Sequence, residues 1–307
     1  MQLPTSPPAS PTKKIWIADL LLLLVAVVWG SSYGVAKQAL AFYPVLGLLA
    51  LRFGMTFLLL LPSLRRLMQP HGRAALRAGL PLGAILLAIL TCETFGVALT
   101  KASNAAFLIS LCVVFTPLVE WLVMARRPSG SAFLMAFVSL FGTWLLTYGS
   151  SLTFNLGDGL MLAAAVLRAF MVCMTKRLTQ NRNMSTLALT AVQSGVVGLG
   201  CLLLAALFLQ GGLPSLPSAA GFWIATLYLV LCCTIFAFFA QNYAVRQSDP
   251  TRVSLLMGSE PVFGALFAAF WLGEQLSLLS WIGGALIVAA TLWASLPRSI
   301  FVARLAK

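Results

Sequence analysis

Ten apolar runs, four of them free of charge, follow one another along the chain at near-regular intervals, with approximate limits 16–37, 44–64, 78–99, 104–124, 131–149, 157–178, 185–209, 219–243, 251–272 and 278–297. A helix rises about 1.5 Å per residue and a bilayer core is about 30 Å thick, so runs of roughly 20 apolar residues predict membrane-crossing helices. The expected fold is an all-α integral membrane protein with ten transmembrane helices. Little chain remains for a soluble domain. The longest polar stretches are the N-terminal MQLPTSPPASPTKK, whose prolines and serines predict disorder, and the basic RRLMQPHGRAALR. The run after Lys13 and Lys14 continues for a full span without a small-residue cleavage pattern, which predicts a first membrane helix and not a cleaved leader.

Composition supports the same solvent. With 60% hydrophobic and 9% charged residues, the chain carries more apolar area than one soluble core hides. A net charge of +13 invites comparison with nucleic-acid-binding proteins until the bases are placed. Sixteen of the 20 Lys and Arg residues lie at the two ends of the chain or in the loops after spans 2, 4, 6 and 8, with their helix ends. Lys37 and Lys101 lie on the other side, and Arg52 and Arg168 fall inside spans. That asymmetry is a positive-inside signal, with both termini cytoplasmic, and it removes nucleic acid from the expected partners. Cys92, Cys112, Cys173, Cys201, Cys232 and Cys233 all sit in or beside apolar spans, so no disulfide framework is implied. The sole histidine, His71, is in the basic loop; neither a zinc site nor a Ser-His arrangement has its parts, and no metal or cofactor is expected.

The chain repeats itself. ALTKASNAAFLISLCVVFTPLVEWLVM resembles AVRQSDPTRVSLLMGSEPVFGALFAAFWLGE, matching Lys101 with Arg246, Ser103 with Ser248 and Pro117 with Pro261. A fainter match lays AVVWGSSYGVAK over AAVLRAFMVCMTK, setting Trp29 against Arg168 and Lys37 against Lys176. Five spans twice, with five odd, require the second copy to enter the membrane from the opposite side, as in inverted-repeat transporters. The implied organisation is a disordered tail at 1–14, a first repeat at 15–150, a second at 151–298 and a cytoplasmic tail at 299–307.

VVWGSSYG after a basic pair, LRFGMTFLLLL in span 2, ASNAAFLISLCVVFTPL in span 4, GDGLMLAAAVLRA opening the second half and SEPVFGALFAAFWLGE in span 9 together resemble the EamA-type drug/metabolite transporter superfamily. Within it, the chain is most similar to the YddG-type exporters of aromatic and other amino acids. The resemblance spans nearly the whole chain and implies ten helices, inverted halves, a midplane cavity between them and export from the cytoplasm. Two positions depart from the pattern: Arg168 stands where a tryptophan is common, and Thr116 stands in span 4 where span 9 has Glu260.

A charge at the bilayer centre costs about 3 kcal/mol on insertion scales, so it is expected to face a partner or a wet cavity. Glu260 lies roughly 14 Å into span 9, and Arg168 is equally central in span 6. Both are candidates for the substrate pathway, as is Glu93 in span 3; the alternative for each is satisfaction within the bundle. Trp29 is a candidate aromatic wall, and Ser32, Gln241 and Asn242 are candidates for hydrogen bonds to substrate or to neighbouring helices. Pro117 and Pro261 are candidate bends, mirrored between the halves, because proline removes a backbone donor. Glu120 is expected to snorkel toward Arg126, Asp19 to pair with a lysine of the tail, and Arg52 to need a buried partner. Gly30-x-x-x-Gly34, Gly79-x-x-x-Gly83 and Gly264-x-x-x-Ala268 read as close helix contacts.

No nucleophile–base pair or clustered metal ligands occur in the spans, and no G-x-x-x-x-G-K-[ST] motif is present, so neither an intramembrane enzyme nor an ATP-driven pump is expected. A membrane scaffold would not need the repeat. The expectation is a secondary transporter of the bacterial inner membrane that exports amino acids, aromatic ones included, or related small metabolites. The alternative within the family is export of lipophilic cationic drugs. Partners are then the small-molecule substrate and membrane lipid, with the oligomeric state, a monomer included, left open.

Overall fold

The computed structural model describes residues 11–65, 70–100, 102–125, 127–146, 155–272 and 276–295. The tails outside these limits and the basic residues Arg66, Lys101, Arg126, Arg298, Arg304 and Lys307 lie outside the described residues. The described residues form helices and connecting turns, with no strand among them. In chain order the helices are α1 (Pro11–Leu40), α2 (Val45–Leu60), α3 (Pro70–Leu99), α4 (Ala102–Ser110), α5 (Cys112–Met124), α6 (Gly130–Leu146) and α7 (Leu156–Thr179). They continue as α8 (Thr186–Phe208), α9 (Ala220–Val230), α10 (Ala237–Gln247), α11 (Pro250–Met257), α12 (Glu260–Leu272) and α13 (Leu278–Ser295).

Among the described residues seven stretches are long and apolar enough to cross a membrane: Ile15–Leu40, Val45–Leu64, Arg73–Leu99, Phe107–Met124, Leu156–Thr179, Thr186–Phe208 and Ala220–Gln247. Gly130–Leu146 and Leu278–Ala294 are apolar but shorter, and the ninth predicted span is two helices, α11 and α12, separated at Gly258 and Ser259. The outer surface is that of a multi-pass membrane protein. Leu122, Leu207, Phe208 and Phe270 are all at least 74% exposed, while Thr56, Thr116, Thr143, Thr226 and Thr234 are fully buried. Water would reverse that arrangement; hydrocarbon favours it.

Several buried threonines bond back into their own helices, as Thr143 Oγ1 donates to Ser139 O at 2.9 Å and Thr226 Oγ1 to Phe222 O at 2.8 Å. Small residues then allow close crossings. A Cβ on Gly30 would lie 2.7 Å from both Glu260 O and Gly264 N, so α1 and α12 meet backbone to backbone. A Cβ on Gly142 would lie 2.7 Å from Gly283 O, which places α6 against α13 in the same way. Gly79 and Gly83 receive the Val192 and Val196 side chains of α8, whereas nothing lies within 4 Å of a Cβ on Gly34.

The packing exchanges partners between the halves. Under the match that equates α1 with α7, α3 with α9–α10, and α5 with α11–α12, the contact of α3 with α7 corresponds to that of α1 with α10. Likewise α5 packs on α7 as α11 and α12 pack on α1, while α2–α8 and α6–α13 correspond to themselves.

Three of the predicted spans depart from regular helical geometry among the described residues. The break before α12 sits where expected, with Pro261 in the first turn of α12, where its missing N–H costs nothing. In span 4 the interruption falls at Leu111, one and a half turns before Pro117, which lies within α5; the two breaks are not mirror images about their prolines. Between α9 and α10, Leu231–Phe236 winds as a π-helix whose Thr234 Oγ1 donates to Leu229 O at 2.7 Å. The widened turn leaves the Cys233 carbonyl open to side chains from other helices. Trp29 Nε1 donates to it at 3.0 Å and the Arg52 guanidinium at 3.2 Å, while Arg52 Nε donates to Thr234 Oγ1 at 2.6 Å. This is the buried partner Arg52 needs.

Two predicted pairings are corrected. Asp19 pairs with Arg252, whose Nε donates to Oδ1 at 3.1 Å and whose Nη2 donates to Oδ2, joining α1 to α11. Glu120 does not snorkel: it is 6% exposed, and its Oε2 accepts from the Thr251 amide at 3.1 Å and from the Thr251 hydroxyl. The N-terminus of α11 offers unpaired N–H groups and a partial positive charge, which draws the Glu120 carboxylate inward. At the start of α7, Asn155 and Asp158 form a reciprocal capping box, and Thr100 Oγ1 at the end of α3 donates to Asp158 Oδ1 at 2.5 Å.

Candidate functional site

A cavity of about 340 Å³ lies where α1, α3, α7, α10 and α12 approach one another. That volume suits a small organic molecule. Leu86, Ile89, Ile109, Met171, Phe238 and Met257 supply much of its apolar wall. Along α1 the lining runs from Trp29 to Gly34, and it continues to Leu146 at the end of α6 and Leu276 just before α13. The Asp19–Arg252 pair lies ten residues, roughly 15 Å, back along α1 from Trp29, beyond the other end of the cavity.

The polar centre is one connected group. Arg168 of α7 donates from Nη2 to Glu93 Oε1 of α3 at 3.2 Å and from Nη1 to Glu260 Oε2 of α12 at 3.4 Å. Its guanidinium carbon lies 5.0 Å from the centroid of the Trp29 ring of α1. Trp29 is itself fixed, by its bond to Cys233 O and by an edge contact with Phe238 at 5.5 Å between centroids. Four elements therefore hold one cation between two carboxylates and an aromatic face. Their formal charges sum to −1 when both acids are ionised. The outer oxygens, Glu93 Oε2 and Glu260 Oε1, are buried and have no hydrogen-bond partner among the described residues, and the same holds for the Tyr33 hydroxyl. Among the described residues no group of three or more His, Cys, Asp or Glu could hold a metal ion.

Of the predicted site residues, Trp29, Glu93, Arg168, Gln241, Glu260 and Pro261 line the cavity. Ser32 does not; its hydroxyl turns back to Trp29 O at 2.8 Å. Asn242 is buried away from the cavity, donating to Gln193 Oε1 at 2.8 Å and Thr190 Oγ1 at 3.1 Å, which ties α10 to α8. Pro117 is buried in α5 and is not part of the lining. Sequence reasoning passed over Tyr33, although it stands four residues after Trp29 and so on the same helical face. It also passed over Ser254, which lines the cavity and accepts from Thr116 Oγ1 at 2.9 Å, and over Ser31, whose hydroxyl meets Tyr228 Oη at 2.6 Å.

A membrane-embedded helical bundle that surrounds a charged cavity with apolar walls has the form of a small-solute carrier. The model of the EamA-like transporter family matches this chain twice, over residues 16–148 and 155–296, and the chain belongs to that family. It is 30% identical over 289 residues to an uncharacterized transporter of Archaeoglobus fulgidus, covering 91% of this chain and 86% of that one. It is 28% identical to the uncharacterized inner membrane transporter YedA of Escherichia coli K12, covering 92% of each chain. A protein of Streptantibioticus cattleyicolor, named a probable terminal-alkyne amino-acid exporter, is 26% identical over 92% of this chain and 93% of its own. A solved crystal structure superposes with a TM-score of 0.73 over 94% of this chain and 99% of that one; at 19% identity the likeness is one of fold.

Proposed function

We propose that this chain exports amino acids, aromatic ones included, or closely related small metabolites from the cytoplasm across the bacterial inner membrane. In this reading ten helices form two inverted five-helix repeats, 15–150 and 151–298, with both termini cytoplasmic, and the cavity between them opens alternately to either side. The exchange of packing partners between the halves, the two family matches and the sixteen-to-two distribution of bases support it. The observation that carries it is Arg168 held between Glu93 and Glu260 on the wall of an otherwise apolar cavity. The two carboxylates that Arg168 holds there suit the ammonium of an amino acid, and the apolar wall accommodates its side chain. A relative named as an amino-acid exporter points the same way.

One observation favours the second reading, export of lipophilic cations. Arg168 is already paired with two carboxylates, so it does not repel a cation as an isolated arginine would. Purified protein in liposomes, offered a panel of neutral amino acids and quaternary ammonium dyes, separates the two. Amino-acid flux above that of protein-free liposomes is expected; dye flux with no amino-acid flux under any pH gradient would establish the second reading instead.

A further inference from the structure

We infer that the cavity contains a subsite for one organic ammonium group, formed by Glu93 Oε2, Glu260 Oε1 and Tyr33 Oη, and that Arg168 positions the two acids instead of anchoring a substrate carboxylate. The inference rests on the small-solute reading of this cavity and names the part of the solute that is recognised.

Each acid has one oxygen committed to Arg168 and one with no partner. Glu260 lines the cavity and is only 5% exposed, and its second oxygen is buried without a hydrogen-bond donor. A carboxylate oxygen only accepts, so whatever completes these two atoms must bring donors, and an ammonium brings three. The Tyr33 hydroxyl lies close to the Glu260 carboxylate, within reach of Glu93 and Arg168 as well, but forms no hydrogen bond of ordinary geometry with any of them. Tyr33 supplies a further acceptor for the ammonium and, through its ring, an apolar flank for the adjoining carbon.

Charge decides between the two ends of a zwitterion. With both acids ionised, the Arg168, Glu93 and Glu260 group carries −1. An ammonium brings it to zero, whereas a carboxylate placed on Arg168 would raise it to −2 and would compete with two acids already bound there. Trp29 covers one face of the guanidinium, which further restricts approach. The ammonium is therefore the required half of the ligand, and its carboxylate is dispensable.

Calorimetric binding and thermal unfolding of the full chain in detergent test this with three molecules of one skeleton: phenylalanine, phenethylamine, which lacks the carboxylate, and 3-phenylpropionate, which lacks the amine. Phenylalanine and phenethylamine are expected to bind within about tenfold of each other and to raise the unfolding midpoint, while 3-phenylpropionate does neither. Tyr33→Phe should weaken phenethylamine by roughly tenfold, the loss of one hydrogen bond to a charged group, with the ligand-free midpoint unchanged. Glu260→Gln should abolish its binding in a protein that still unfolds cooperatively. Binding of 3-phenylpropionate as tight as that of phenethylamine, or of phenylalanine without phenethylamine, would overturn the subsite while leaving solute export intact. Binding of none of the three would overturn both.

Discussion

The guanidinium carbon of Arg168 lies 5.0 Å from the centroid of the Trp29 indole, and the proposed repeat sets these two residues at matching positions. A pair of aromatic residues would be the symmetric solution at that crossing. The arginine breaks the symmetry and brings a charge into the bundle, which the sequence answers with Glu93 and Glu260 from two further helices.

Arg168→Gln should cost stability as well as transport. Removing the guanidinium leaves two buried carboxylates with no counter-charge, and breaking a buried pair from one side costs about 3–5 kcal/mol. Thermal unfolding in detergent should show a lower midpoint, and adding Glu260→Gln to Arg168→Gln should recover part of it. A normal midpoint in the single variant would mean that the two ion pairs do not hold the bundle together.

The α1–α12 crossing gives a second test. Gly30→Ala puts a methyl 2.7 Å from the backbone of Glu260 and Gly264, which cannot move as a flexible side chain would, so a loss of about 1–3 kcal/mol is expected. Gly54→Ala, with nothing within 4 Å of its Cβ, should be neutral or mildly stabilising. Equal midpoints for the two variants would contradict the close crossing.

Asp19 and Arg252 join α1 to α11 although 233 positions separate them. Asp19→Asn leaves a largely buried guanidinium short of its charge partner and should destabilise by about 1–3 kcal/mol. The exchange of the two residues, Asp19→Arg with Arg252→Asp, should recover at least half of that in a double-mutant comparison of unfolding midpoints. Additive losses would show that the pair contributes nothing as a pair.

Reporter fusions test the orientation. A tag after Lys307 and an insertion beside Gly130 should be accessible from the cytoplasm, and an insertion beside Gly212 from outside. Gly211 and Gly212 adopt φ of 95° and 76° in the turn between α8 and α9, a backbone that tolerates insertion better than a helix does. Any of the three on the opposite side would overturn the proposed ten-helix topology.

How much of this was legible in the chain differs by feature. Helix limits were, because hydrophobic length is a one-dimensional signal: the span predicted at 157–178 is α7, Leu156–Thr179. The residues of the charge cluster were also visible, because each is conspicuous in an apolar run. Their union was not, since nothing local to Glu93 or Glu260 indicates that Arg168 of a third helix lies between them. Asn242 shows the complementary limit: its amide looks the same whether it faces a cavity or, as found, Gln193 of a neighbouring helix. The break at Leu111 carries no proline or glycine to announce it, and the π turn at Leu231–Phe236 frees a carbonyl whose partners, Trp29 of α1 and Arg52 of α2, are far away in sequence.

The central claim is that the solute passes through the cavity centred on Arg168, Glu93 and Glu260. Uptake of labelled phenylalanine into proteoliposomes by the unaltered chain and by Glu260→Gln, at matched amounts of folded protein, tests it most directly. The substitution keeps the shape of the side chain and removes its charge. The account predicts uptake above protein-free liposomes for the unaltered chain and less than roughly one tenth of it for the variant, the loss expected when a charged contact worth at least 1.4 kcal/mol is removed. Full uptake by Glu260→Gln would contradict it.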